Sequence, residues 1–145
     1  MNKPNIALTI AGTDPTGGAG VMADLKSFHA CGVYGMAAVT SIVAQNTKGV
    51  QHIHNLESQW LSEQLTSVFD DELPHAIKTG MIASKEMMQL IQEYLVKYPE
   101  IPYVIDPVML AKSGDSLMDD DAKADLQNIL LPYATVATPN LPEAE

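Results

Sequence analysis

The chain has 145 residues, 46% of them hydrophobic, and its 18 acidic side chains against 8 lysines leave a formal net charge of −10. That is one domain by size, with enough apolar residues for a real core, and the acidity argues against nucleic acid, whose binding needs a clustered basic surface. There is no arginine, so any phosphate handled here depends on backbone N–H groups, lysine or a metal ion rather than a guanidinium clamp.

Short apolar runs alternate with helical patterns. "IALTI" (6–10) reads as the first strand, followed by the glycine-rich "AGTDPTGGAG" (11–20) and a helix whose Val21, Leu25 and Phe28 share a face that Gly32 closes. "MAAVTSIVA" (36–44) reads as the next strand, and "NTKGVQHIHNL" has the turn residues and partial alternation of a small hairpin or flap. Leu61, Leu65 and Val68 line a second helix with Ser58 as its cap, and Trp60 at its start reads as packing. "HAIKT" (75–79) is a strand, and a third helix carries Met88, Ile91 and Leu95 behind a cap at Ser84. "YVID" (103–106) and "TVAT" (135–138) complete the strands. Between them lies a helix with Leu126, Ile129 and Leu130, opened by the acids at 119–121 and stopped by Pro132.

The single cysteine, Cys31, cannot form an internal disulfide, and its place at the end of an apolar helix face suits a buried thiol in a reducing compartment. No apolar run approaches a membrane span, and "IALTI" is too short for a signal-peptide core. The expectation is a cytoplasmic protein with neither membrane nor nucleic acid as partner.

Strands alternating with helices predict parallel strands joined by crossovers, an α/β layered fold. In such sheets the ligand lies beyond the carboxyl ends of the strands, which here carry Thr13 and Asp14, Gln45 and Asn46, Gly80 and Met81, Asp106, and Asn140. The chain stops at "TPNLPEAE", within the first turn of the helix that should cover the last strand. A parallel strand without that cover leaves an apolar face open, so a chain shortened from a longer protein is expected.

The opening loop meets neither nucleotide-phosphate fingerprint, being neither G-x-x-x-x-G-K-[ST] nor G-x-G-x-x-G. Its plainer reading is a tight turn feeding a helix. Asp14, a carboxylate at a strand end, is also placed to hold a hydroxyl or an amine. Gln45 is either a solvated loop residue or a ring-reading group, because a primary amide offers one donor beside one acceptor. Asp106, Asn140 and Glu143 bring oxygen side chains to neighbouring strand ends, which suits magnesium. Their plainer readings are a turn before Pro107 and a first-turn helix acid.

The stretch "TIAGTDPTGGAGVMADLKSFHACGVYGMAAVTSIVAQNTKGV" closely resembles the start of bacterial hydroxymethylpyrimidine and phosphomethylpyrimidine kinases, in the ribokinase-like superfamily. The resemblance continues through "AIKTGMIAS", "VIDPVMLAKSGDSLM" and "LLPYATVATPNLPEAE", with pyridoxal kinases as the near alternative. Threonine stands at 13 and 16 where the family pattern has serine, which preserves the hydroxyls. The resemblance implies a ribokinase-like three-layer α/β/α fold with a mainly parallel sheet. Residues 1–145 would then be the N-terminal part of a single kinase domain, truncated after about half of the fold.

It further implies transfer of phosphate from ATP, with Mg2+, to the hydroxymethyl group of an aminopyrimidine or its monophosphate in thiamine synthesis, by a homodimer when full length. The residues it assigns to the substrate are Gly12, Asp14, Gln45, Gly80, Met81 and Val108, with Met81 and Val108 as apolar walls for a flat ring. Lys112 and Asn140 fall to the nucleotide, and Asp106 and Glu143 to the metal, Glu143 acting through water. The opening loop then lies against the substrate ring, while the phosphate cradle and the catalytic base lie beyond residue 145. This chain alone is expected to be inactive; a non-catalytic binding domain is the reading if 145 residues is the natural length.

Overall fold

In the computed structural model, which describes residues 2–110, 114 and 116–144, β1 (Ile6–Ala11) is buried along its whole length. It lies inside a five-stranded parallel sheet with the order β2–β1–β5–β6–β7, where β2 is Tyr34–Val39, β5 Ala76–Thr79, β6 Tyr103–Ile105 and β7 Val136–Ala137. A strand covered on both faces reads as an unbroken apolar run, which is why "IALTIA" lacks a polar alternation.

One face of the sheet carries the main core. Leu8, Ile10, Ile77, Tyr103 and Ile105 pack there with Leu61 and Leu65 of α2 (Ser58–Phe69), Met87, Met88 and Ile91 of α3 (Lys85–Lys97), and Leu126 and Leu130. The last two lie in a π-helical stretch, Leu126–Leu130, that continues α4 (Asp120–Asp125) and tightens into a 3-10 turn at Leu131–Tyr133 containing Pro132. The other face is covered near β1 and β2 by α1 (Gly20–Ala30), whose Leu25 and Phe28 press so closely on Gly35 that a methyl group there would meet Leu25 at 2.7 Å. The mixed α/β reading and the parallel sheet are thus as expected. At the far end of the sheet both residues of β7 are exposed, Val136 among them. Among the described residues no helix is long and apolar enough to cross a membrane.

The predicted strand 36–44 is instead two strands, because the chain leaves the sheet at Thr40. The Thr40 N–H still reaches Ala11 of β1 at 2.9 Å, but its carbonyl accepts from Leu56, and Ser41–Asn46 becomes β3 of an antiparallel hairpin with β4 (Gly49–Asn55). Ser58 is not the cap of α2: Glu57 precedes the helix with no side-chain capping bond, and Ser58 is its first residue. Trp60 is 60% exposed, since the buried stripe of α2 runs Leu61, Leu65, Phe69 and leaves its neighbour about a quarter-turn away. Cys31 is exposed rather than buried. Phe28 and Leu25 already sit over the start of β2, so a further residue carries the chain past the end of the sheet, where Gly32, at φ +73°, turns it back. Ser84 does cap α3, its hydroxyl accepting from the Met87 N–H.

One edge of the sheet is closed by a side chain. Val39 at the end of β2 has its outward N–H and C=O paired with the Gln64 amide of α2, at 2.8 and 2.9 Å.

Losing a Ser N-cap costs about 1 kcal/mol, so Ser84→Ala is expected to lower stability by roughly that amount. Ser58→Ala should stay within about 0.5 kcal/mol of the parent. Urea unfolding followed by circular dichroism on the two variants checks both.

Candidate active-site cleft

The carboxyl ends of β1, β5 and β6, together with the β3–β4 hairpin, enclose a cleft of about 650 Å³. Its shape begins at Gly12. The Gly12 carbonyl accepts the Val21 N–H at 3.0 Å, which holds the start of α1 against the end of β1. Gly20, at φ +59°, makes that crossing: a Cβ there would lie 2.3 Å from the Gly12 oxygen. Between them the chain wraps around Asp14, which is 3% exposed. One Asp14 carboxylate oxygen accepts from the Thr16 N–H (2.9 Å) and hydroxyl (2.8 Å), the other from the Gly18 N–H (3.0 Å). Burial pushes this carboxyl up, but the Thr16 hydroxyl and N–H, with the Gln45 amide and Gly18 N–H, outweigh it and hold the group below the ordinary aspartate value. Asp14 therefore organises the loop first. Both oxygens of its carboxylate are engaged within the loop.

Thr13 ties this loop to the hairpin, donating its N–H to Ser41 and accepting the Val43 N–H on its hydroxyl, both at 2.9 Å. The hydroxyls of Thr13 and Thr16 are thus both in use, which accounts for Thr serving in place of Ser. In β3, Val43 and Gln45 share the face that lines the cleft, while Ala44 faces away. The register shifts opposite Gln45, where Gln51 is an extra residue in β4, so the irregularity falls on the partner strand and leaves the alternation of β3 intact. His52 and His54 pair with Ala44 and Ile42 on the outer face, exposed to solvent. Met81 enters from the end of β5, its methyl 3.1 Å from the position a Gly12 Cβ would take. Val108 follows β6 into the same cleft.

At the other end lies an ionic group that the sequence analysis did not single out. Lys78 of β5 bonds both oxygens of Asp24 in α1, at 2.9 and 3.1 Å, and approaches Asp106 to 3.9 Å. Thr9 of β1 donates its hydroxyl to Asp24. Burial raises the Asp106 carboxyl above its ordinary value; Lys78 opposes this, while Glu143 and Asp24 add to it. Glu143 and Asn140 form a reciprocal capping box at α5 (Leu141–Ala144): the Asn140 side chain accepts the Glu143 N–H and Glu143 accepts the Asn140 N–H, both at 3.0 Å. The second Glu143 oxygen accepts the Met109 N–H at 3.0 Å.

Gly12, Asp14, Gln45, Gly80, Met81, Val108, Asp106, Asn140 and Glu143 all line this cleft. Lys112 lies outside the described residues. The residues missed were Thr13 as a tether and the Asp24–Lys78 pair; the signal available for the latter was a lysine interrupting a buried strand. Among the described residues no three His, Cys, Asp or Glu side chains converge on a metal position. Magnesium held partly by nucleotide phosphates needs only one or two carboxylates, and Glu143 is near enough to Asp106 for its charge to raise the Asp106 carboxyl.

A parallel sheet with helices on both faces and a polar cleft at its carboxyl edge defines an α/β protein with the layout of ribokinase-like kinases. The sequence pattern of phosphomethylpyrimidine kinase matches residues 14–145, and the chain belongs to that family. It is 76% identical over all 145 residues to the hydroxymethylpyrimidine/phosphomethylpyrimidine kinase of Staphylococcus aureus strain N315, covering 100% of this chain and 52% of that one. The crystal structure of phosphomethylpyrimidine kinase from Clostridium difficile 630 is similar at 48% identity and a TM-score of 0.89, with 97% of this chain and 61% of that chain covered. The pyridoxal kinase of Staphylococcus aureus in complex with AMP-PCP and pyridoxal is similar at 35% identity and a TM-score of 0.86, with 99% and 51% covered. The chain thus spans about half the length of the curated relatives it matches.

Two outcomes test this geometry. Gly20→Ala combines a left-handed backbone, unfavourable by about 1–2 kcal/mol for any residue with a Cβ, with a collision against a carbonyl. Its urea midpoint should fall well below that of Gly18→Ala, whose added methyl has nothing nearer than 3.6 Å. For Asp14 the folded pKa lies below the unfolded value, so its contribution to stability is present above the unfolded value of 3.8 and lost as pH falls through the folded one. Asp14→Asn should therefore flatten the loss of stability between about pH 5 and about pH 3, read as urea midpoints against pH.

Proposed function

We propose that this chain is the alcohol-binding part of a kinase that moves the γ-phosphoryl of ATP to the hydroxymethyl group of 4-amino-5-hydroxymethyl-2-methylpyrimidine, or of its monophosphate, in thiamine biosynthesis. The observation that carries the reading is the placement of Gln45, Met81 and Val108 around one cleft, beside a loop whose backbone is fixed by Asp14. An amide edge matches an exocyclic amine next to a ring nitrogen, and Met81 and Val108 supply apolar walls for a flat ring. Family membership supports the reading.

Charge supports a metal. The described cleft lining holds Asp14, Asp24, Asp106 and Glu143 against Lys48 and Lys78, so a polyphosphate enters it favourably only with a counter-cation. We assign Asp106, with Glu143 through water, to hold Mg2+, and Asn140 and Lys112 to the nucleotide side. When bound, the ion would neutralise charge on the transferring phosphoryl group. The residues of this chain orient the alcohol, one part of the positioning that such a transfer asks of a protein. The base and the donors that stabilise the phosphoryl group are assigned to sequence beyond residue 145. The exposed outer face of the hairpin, with Ile42, supports a homodimer.

Pyridoxal phosphorylation is the second reading, favoured by the likeness to a pyridoxal kinase structure determined with pyridoxal. Gln45 separates the two. In the longer polypeptide carrying this chain, Gln45→Met is expected to weaken aminopyrimidine binding by about 1–3 kcal/mol, through loss of a paired donor and acceptor, and pyridoxal binding by less. Calorimetric titration with both ligands checks it; equal losses would remove Gln45 as the selector. Asp106→Asn should lower turnover more than pyrimidine affinity in a coupled ADP-release assay, with partial recovery at raised magnesium. The 145-residue chain alone should show no turnover, since absent anion-hole donors typically cost about 100- to 1000-fold and the ATP-positioning contribution is lost as well.

A further inference from the structure

The ionic group at the inner end of the cleft has an unusual composition. Lys78 is the cation of a partly buried cluster that contains Asp24 and Asp106, with side-chain exposures of 21%, 18% and 36% respectively. Asp24 is held by three hydrogen bonds from two partners, two from the Lys78 ammonium and one from the Thr9 hydroxyl. Asp106 is not fixed in this way. Its backbone N–H is anchored to Thr79, but the charged partner near its carboxylate is Lys78, at 3.9 Å, beyond a hydrogen bond. The register places Lys78 beside Thr9 on one side and Val104 on the other, so its side chain rises from the row of the sheet that α1 covers. Its ammonium then stands 3.2 Å from where a Gly80 Cβ would be, at the cleft floor.

We propose that Lys78 is a positioning residue serving as the resident cation of this site, held by Asp24 so that its charge faces Asp106 and keeps the acidic end of the cleft from taking up a divalent ion by itself. Asp24 is the tether and Asp106 the group being guarded. An ammonium at 3.9 Å opposes a second cation at the same carboxylate. Among the described residues it makes no hydrogen bond to that carboxylate, so Asp106 can turn to an ion that arrives with its own phosphate ligands. Metal entry then depends on the nucleotide that carries it. The identity of that ion rests on the kinase reading above, but the guarding role does not.

The test uses Mn2+ alone, with neither nucleotide nor alcohol, and follows free Mn2+ by electron paramagnetic resonance on the purified protein. The parent should bind Mn2+ weakly, and Lys78→Met roughly tenfold more tightly or better, because the competing charge is gone. If Lys78→Met unfolds for want of a partner for Asp24, the pair Asp24→Asn with Lys78→Met leaves no unpaired charge at position 24, keeps the Asp106 carboxylate, and should show the same gain. Adding Asp106→Asn should abolish the gain, and Lys78→Arg, which keeps the charge, should not produce it. A folded lysine-free variant that binds Mn2+ no more tightly than the parent, or a gain that survives Asp106→Asn, overturns the assignment. Because no phosphate acceptor is present, a failed kinase assay leaves this result standing, and a failed Mn2+ assay leaves the kinase reading standing.

Discussion

The cleft depends on one crossing of backbone, at Gly12 and Thr13. Gly12 gives its carbonyl to the first turn of α1, Thr13 gives its N–H to β3, and the Met81 methyl closes on Gly12 from the end of β5. Four elements therefore meet at two residues, and they can do so because no side chain stands at positions 12 and 20, where the helix start passes the strand end within a carbonyl's reach. A side chain at position 20 would push α1 off the Gly12 carbonyl, and one at position 12 would press on the Met81 methyl. The Asp14 loop, the hairpin and the ionic group at Lys78 would then lose their common frame.

Within that frame the cleft has two chemically different ends. The end formed by Gln45, Val43, Met81 and Val108 is apolar with one amide. The end formed by Asp24, Lys78, Asp106 and Glu143 is ionic. The sheet sets this division, because α1 contributes Asp24 on one face while the hairpin leaves the sheet at Thr40 and folds over the opposite side of the opening.

Much of this arrangement was legible in the sequence. Apolar runs alternating with helical stripes specified the parallel sheet, and the polar residues at the ends of those runs marked the cleft, because strand direction alone decides which edge they reach. Ser84 was readable as a cap because capping is a local interaction. What escaped was non-local. Thr40 looks like any β-branched strand residue, and only the division of its backbone groups, the N–H to Ala11 and the carbonyl to Leu56, breaks the strand there. The engagement of Asp14 is not displayed by a sequence, because two of its partners are the backbone N–H groups of Thr16 and Gly18 and a third, Gln45, comes from the hairpin. Lys78 lay inside a strand pattern, and its meaning depends on Asp24, 54 residues away. Cys31 and Trp60 misled because an apolar residue type was taken for a buried position, although α1 outruns the sheet and Trp60 lies off its helix stripe.

The Gln64 clasp on Val39 makes the two ends of the sheet unlike. A strand edge normally recruits whatever extended chain comes near, and its last free donor and acceptor set the docking register. Here the β2 side has its terminal pair already occupied by a glutamine that mimics a neighbouring peptide unit, whereas Val136 and Ala137 of β7 are exposed among the described residues. The sheet is therefore directional as a template: lengthening by further strands is favoured from β7 and discouraged at the end of β2.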